Sequence, residues 1–243
     1  MATSKSARDA NLVLSYLSMR RMVGLLGIAL PFIVILGSYS HGKIVILGSI
    51  SAYYYTNVRD FFVGLLCGVS LFLISYDGYE RIDSVITKLS GFFALGIVAF
   101  PTSMFSGRVI RVGIFRTPDD ISQYLHLGFS ILFLTLLAFN SIFLFTRHGG
   151  SPSREKRIRN VIYVVSGFVM LWSVIFMIIY IAFLTQTFIT DLHPILLLES
   201  IALISFGVSW LVKGSTLFKD KKTRPAPPSN HNHRLADAQV SDG

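Results

Sequence analysis

Asp60, His126 and Glu199 are the residues best placed to do chemistry, because each is an ionisable side chain within about two turns of the end of a strongly apolar run. A carboxylate there is costly unless it finds a partner, the membrane interface or a wet cavity. A histidine between two carboxylates would offset that cost by hydrogen bonding, so the three are expected to form the polar heart of one site. Arg59 stands beside Asp60. Ser51 and Tyr54, in the stretch SISAYYYTNVRD, would cover the site, and His193 closes a short loop just before Glu199. His126, His193 and Glu199 make a mixed nitrogen and oxygen set of the kind that holds zinc. The same groups could form a proton relay or recognise a lipid headgroup. The plainer reading makes Arg59, Asp191 and His193 solvated helix-end residues and Glu199 a helix-locking hydrogen bond. A second ledge, Asp77, Tyr79 and Asp83, is expected to face the basic loop around Arg157 and Arg159 and fix the loops by ion pairing.

The elements that must position these residues are set by composition. With 52% hydrophobic and only 14% charged residues, the chain is too apolar for an ordinary soluble domain, in which about a quarter of residues are charged. It reads as all-α and polytopic, a bundle of six transmembrane helices. The net charge of +9 sits beside apolar runs and is not interleaved with aromatics, which points to membrane topology and to no nucleic-acid partner. A single cysteine, Cys67, allows no internal disulfide and no cysteine-based zinc site. The sequence has no Walker loop, HExxH pair, GxSxG elbow or redox cysteine pair. No catalytic residues and no cofactor are assigned from it, zinc entering only if the site is a metal hydrolase.

The apolar runs place spans at about residues 22–37, 60–76, 86–104, 122–146, 161–185 and 195–212, with a kink at Pro31. Residues 1–19 read as a polar lead-in, 20–214 as the transmembrane domain and 215–243 as a disordered basic tail. In the second span, Asp60, Gly64, Gly68 and Ser75 recur at helical spacing and suggest a packing face. In the fourth, His126, Ser130, Asn140 and Ser141 form a polar stripe that should look inward. Lys and Arg sort roughly three to one onto the side that carries both termini and residues 147–160, which predicts cytoplasmic ends.

The arrangement of SISAYYYTNVRDFFVGLLCGVSLFLISYDGY, GFFALGIVAFPT, a histidine opening the fourth span, RNVIY and LESIALISFGVSWLVKG resembles uncharacterised bacterial six-helix integral membrane proteins grouped under domains of unknown function. In plan it is also similar, more distantly, to Frag/DRAM/Sfk-like proteins and to the CREST membrane hydrolases. The resemblance covers about residues 20–214 and implies the fold, a bacterial inner membrane and no particular activity. The CREST pattern has a paired HxxxH in its last helix, where this chain has Glu199 and no histidine. The expected function is an integral membrane protein that interacts with lipid headgroups or membrane-protein partners. A membrane-embedded metal-dependent hydrolase and a small transporter are the alternatives.

Overall fold

The computed structural model describes residues 2–40, 42–78, 80–103, 111–147, 153–184 and 191–214, with only the backbone described over 2–15. Within them six α-helices run in sequence: α1 (Ala2–Gly37), α2 (Arg59–Ile74), α3 (Arg81–Ala99), α4 (Asp119–Phe139), α5 (Arg154–Ile179) and α6 (Pro194–Lys213). Each helix packs against the next, and α1 packs along α6, so the bundle is a closed ring. Its outer surface is apolar, carrying Phe32, Phe61, Phe92, Phe143, Phe168 and Trp172 exposed, as expected of a surface facing lipid. Among the described residues five helical segments are long and apolar enough to cross a membrane: Tyr16–Gly37, Arg81–Ala99, Asp119–Leu144, Arg154–Leu184 and Pro194–Lys213. The protein is a polytopic all-α membrane protein.

Helix starts and stops differ from the expected ones for local reasons. The lead-in is the beginning of α1, since no glycine or proline interrupts residues 2–23, and the helix then passes through Pro31. α3 begins early because Glu80 and Asp83 close a capping box, and it ends at Ala99, before the extended Phe100 that Pro101 demands. α5 begins inside the expected basic loop, where the Ser153 hydroxyl accepts from the Lys156 amide at 3.1 Å. α4 and α5 each finish in a wide π turn, Asn140–Leu144 and Tyr180–Leu184. Two short antiparallel hairpins, Tyr39–Ser40 with Lys43–Ile44 and Arg111–Val112 with Thr117–Pro118, cap the loops at one end. The expected tail, 215–243, lies outside the described residues.

Small residues set the helix spacing, though not those in α2. A Cβ added to Gly24 would sit 2.7 Å from the Gly207 carbonyl oxygen, and one added to Gly207 would sit 2.5 Å from the oxygen of Gly24. The backbones of α1 and α6 therefore touch. On the other side of the ring, the Ser70 hydroxyl donates to the Gly91 carbonyl at 2.6 Å and ties α2 to α3. The face expected from Asp60, Gly64, Gly68 and Ser75 is not the packed one. α2 buries Phe62, Leu66, Val69, Ser70 and Leu73, while Asp60 and Ser75 are exposed and a side chain at Gly64 would meet nothing. Burying five larger side chains removes more apolar surface from contact with the surroundings than a glycine stripe can, and packing follows the better-filled face.

At one end of the ring a cation-aromatic cluster fills the centre. The buried Arg20 donates to the Tyr76 hydroxyl at 2.8 Å, and its guanidinium lies 4.4 Å from the Tyr16 ring. Trp210 packs edge-on against Tyr76 and Phe145. Lys213 reaches the Phe145 carbonyl at 3.3 Å, and Arg21 donates to the carbonyl of Gly214 at 2.9 Å. Cations thus gather at the α6 C-terminus, where the helix dipole favours them. Burial pushes the Tyr76 phenol above its ordinary range, against the opposing pull of Arg20.

Candidate functional site

The opposite end holds the polar site, built around a short 3₁₀ helix, Ser51–Tyr55, wedged into the ring mouth. Ser51, Ala52, Tyr53 and Tyr54 are all buried, so the expected cover is a packed plug. The Tyr53 hydroxyl donates to the Val45 carbonyl at 3.0 Å, and that of Tyr55 to the Thr102 carbonyl at 2.7 Å. Arg59 folds back over Tyr54, donating to its hydroxyl at 2.7 Å with the guanidinium 4.3 Å from the ring. Burial raises the Tyr55 phenol to about 12, helped by the nearby negative charge of Asp119. It remains a donor at any ordinary pH.

Glu199 holds this plug from below. Its carboxylate accepts from the Ile50 amide and from the Ser51 hydroxyl, the latter at 3.5 Å, and so caps the N-terminus of the 3₁₀ helix from across the bundle. The Leu196 amide, one turn earlier on α6, donates to the Gly48 carbonyl at 3.0 Å and fixes the same loop. His126 is buried on α4, with Nδ1 2.8 Å from the Phe100 carbonyl oxygen. A carbonyl only accepts, so Nδ1 carries a proton and the neutral ring keeps Nε2 as its acceptor. Gln123, one turn before His126, accepts through Oε1 from the Thr102 hydroxyl at 2.8 Å.

Ser51, His126 and Glu199 meet on one cavity of about 90 Å³, lined also by Ser49, Thr102, Gln123 and Ser130 at its polar end and by Leu134, Val174, Met177 and Ile178 at its apolar end. Two further chambers share walls with it. Ser49, Thr102, Gln123 and Ile195 also line an open vestibule that holds Asp191 and His193. Ser51, Ser130, Leu134 and Glu199 also line a deeper chamber of about 50 Å³, walled by Leu30, Phe62, Leu66, Ile97, Phe133 and Leu203 at the ring centre.

The expected polar heart is therefore only partly assembled. His126 and Glu199 share the cavity, but Asp60 is exposed in the first turn of α2 and lines none of the three chambers. The N-terminus of α2 is an ordinary place for an acid, so Asp60 needs no buried partner. His193 caps α6 with a left-handed backbone, φ 48°, and faces the vestibule. Among the described residues no three His, Cys, Asp or Glu side chains gather where one ion could be held, so His126, His193 and Glu199 do not make a metal site. Tyr79 lies outside the described residues. On the same ledge Asp77 pairs with Lys88 at 2.8 Å, and Asp83 is buried in the α3 capping box. The inward stripe is present: His126, Asn140 and Ser141 are buried, with Ser141 bonded to Ser209 at 2.8 Å. Gln123 was the residue missed. It precedes His126 by three and Ser130 by seven, so helical spacing alone marks it as part of the stripe. No family model, curated protein or solved structure matches this chain.

Proposed function

We propose that this protein is a lipid-interacting protein of a bacterial inner membrane, with six spans and both termini cytoplasmic, that binds one membrane amphiphile in the three-chamber cavity. The observation that carries the reading is the gradient within a single cavity. Hydroxyls, an amide, an imidazole and a carboxylate line its mouth, and only apolar side chains line its deep wall beyond Ser51, Ser130 and Glu199. Ile178 and Ile181 line the cavity and are also 43% and 37% exposed on the lipid-facing side of α5, which gives a hydrophobic molecule lateral access from the bilayer.

Binding is favoured over catalysis because Glu199 is held by the Ile50 amide and, among the described residues, neither inner chamber brings a nucleophile activated by His126 or a second carboxylate to its walls. Transport would need a polar path to the other end, where buried Tyr76, Trp210, Phe145 and Phe206 stand in its way. The sixth span is supported by the ends of α2. Asn57 donates to the Gly37 carbonyl at 3.1 Å, and Tyr16 donates to the Asp77 carbonyl, so α2 runs from one end of the α1 span to the other. Its 16 residues reach about 24 Å, short of a ~30 Å hydrocarbon layer, and the buried plug before it makes up the difference.

Mass spectrometry of lipids retained by the purified protein tests the reading. Leu134→Trp, which fills both inner chambers, should abolish retention of the bound species, with Ser130→Leu as the milder variant if the first fails to fold. Equal retention by a folded Ser130→Leu protein would overturn it. Orientation is tested by labelling single cysteines placed at Arg147 and Arg111. The first should react only after the membrane is permeabilised and the second in intact cells.

A further inference from the structure

We infer that the amphiphile has a hydrogen-bond-donating head without a phosphate or carboxylate, an alcohol or amine on a single chain, and that Glu199 selects it. The inference rests on the binding reading above. Among the described residues neither inner chamber is lined by Lys or Arg, and the formal negative charge on their walls is that of Glu199. Anionic heads are usually held by cations or by unpaired amides at a helix N-terminus. Two helix N-termini reach the cavity here: that of Ser51–Tyr55 is already occupied by the carboxylate of Glu199, and that of α6, at Ile195, gives its Leu196 amide to the Gly48 carbonyl. A phosphate at the same position would lose that donor.

The acceptors that remain suit the opposite kind of head. A carboxylate has about four lone-pair positions, and the Ile50 amide, the Ser51 amide and the Ser51 hydroxyl occupy three of them, so Glu199 can accept one more hydrogen bond. With Nδ1 donating to Phe100, the neutral His126 ring keeps an acceptor at Nε2, and Ser130 adds a hydroxyl that can accept as well as donate. A head with two or more donors, a diol or a primary amine, satisfies these groups together. The vestibule continues the pattern, its lining among the described residues bringing Asp191 and His193 and no Lys or Arg. The deep chamber, about 50 Å³ and walled by five helices of the ring, is too narrow for the pair of chains carried by a diacyl phospholipid.

Binding of four amphiphiles of equal chain length to the full-length protein in detergent, a monoacylglycerol, a primary alkylamine, a lysophosphatidic acid and a fatty acid, tests this by native mass spectrometry. The first two should bind at least about tenfold more tightly than the last two, the scale of one hydrogen bond to a charged group. Glu199→Gln keeps an oxygen for the Ile50 amide. It should weaken the alkylamine about tenfold while strengthening the fatty acid, two shifts of opposite sign that a general loosening of the plug cannot produce. Tightest binding of a phosphate or carboxylate head, or parallel shifts of all four in Glu199→Gln, would overturn the inference. Ser130→Leu separates it from the parent reading. If anionic heads bind the native protein and are lost in that variant, only the head preference is wrong; if none of the four binds, or all bind the variant unchanged, the cavity reading falls too.

Discussion

Single residues at the plug carry hydrogen bonds whose loss is measurable. Tyr55 gives its proton to the Thr102 carbonyl, and its phenol, raised from 10.0 to about 12, is held neutral by burial first and by Asp119 second. A pKa raised in the folded state means stability that is complete below about pH 10 and is lost as pH climbs through about 12. Tyr55→Phe should lower stability at neutral pH by about 1 kcal/mol, the net worth of one hydrogen bond. It should also flatten the alkaline decline between those two values, and thermal unfolding in detergent at stepped pH reads both. An unchanged alkaline slope would show that the phenol does not report on the plug. Glu199 shows what residue types alone reveal: an acid in an apolar run announces that it needs a partner. Its partners, Ile50 and Ser51, lie about 150 residues away, and nothing local points to a main-chain amide there.

At the scale of the element, the sequence was most informative where a helix has chemical punctuation and least where packing chooses a face. The polar spacing of α4 faced inward, readable from neighbours a few residues apart, and Pro101 marks the neighbourhood in which α3 ends, though the helix stops at Ala99 and not at 104. The starts of α3 and α5 were missed because capping boxes and serine caps lie in charged sequence that resembles loop. In α2 the glycines Gly64 and Gly68 matched a packing motif, yet the close approach in this protein belongs to Gly24 and Gly207, which no spacing rule pairs. A small residue tells only that a backbone can be approached. Which backbone arrives depends on the ring order, and that is a property of all six helices. Gly207→Leu should therefore be more damaging than Gly64→Leu, by roughly 2 kcal/mol or more, because its side chain would have to displace the main chain of α1. Unfolding midpoints of the two variants, with expression level as a control, decide it, and equal midpoints would contradict the seam.

For the molecule as a whole, the ring explains why one end is filled and the other hollow. Large aromatic side chains, among them Tyr16, Tyr76, Phe145, Tyr163 and Trp210, converge at the Arg20 end, while at the plug end α4 contributes Gln123, His126 and Ser130 and α6 contributes Glu199, which leave space between them. The seam of Gly24 against Gly207 has a consequence for how the protein is made. Its two halves stand at opposite ends of the chain, so at about 5–20 residues per second the ribosome delivers the second roughly ten to forty seconds after the first. Through that interval the nascent bundle is an open crescent, its α1 edge bare to the bilayer and its deep chamber lacking the wall that Glu199 and Leu203 provide. Biogenesis is thus gated by the arrival of the last helix, and a chain stopped short of α6 would present to the membrane's quality-control proteases a gap that the finished protein never shows.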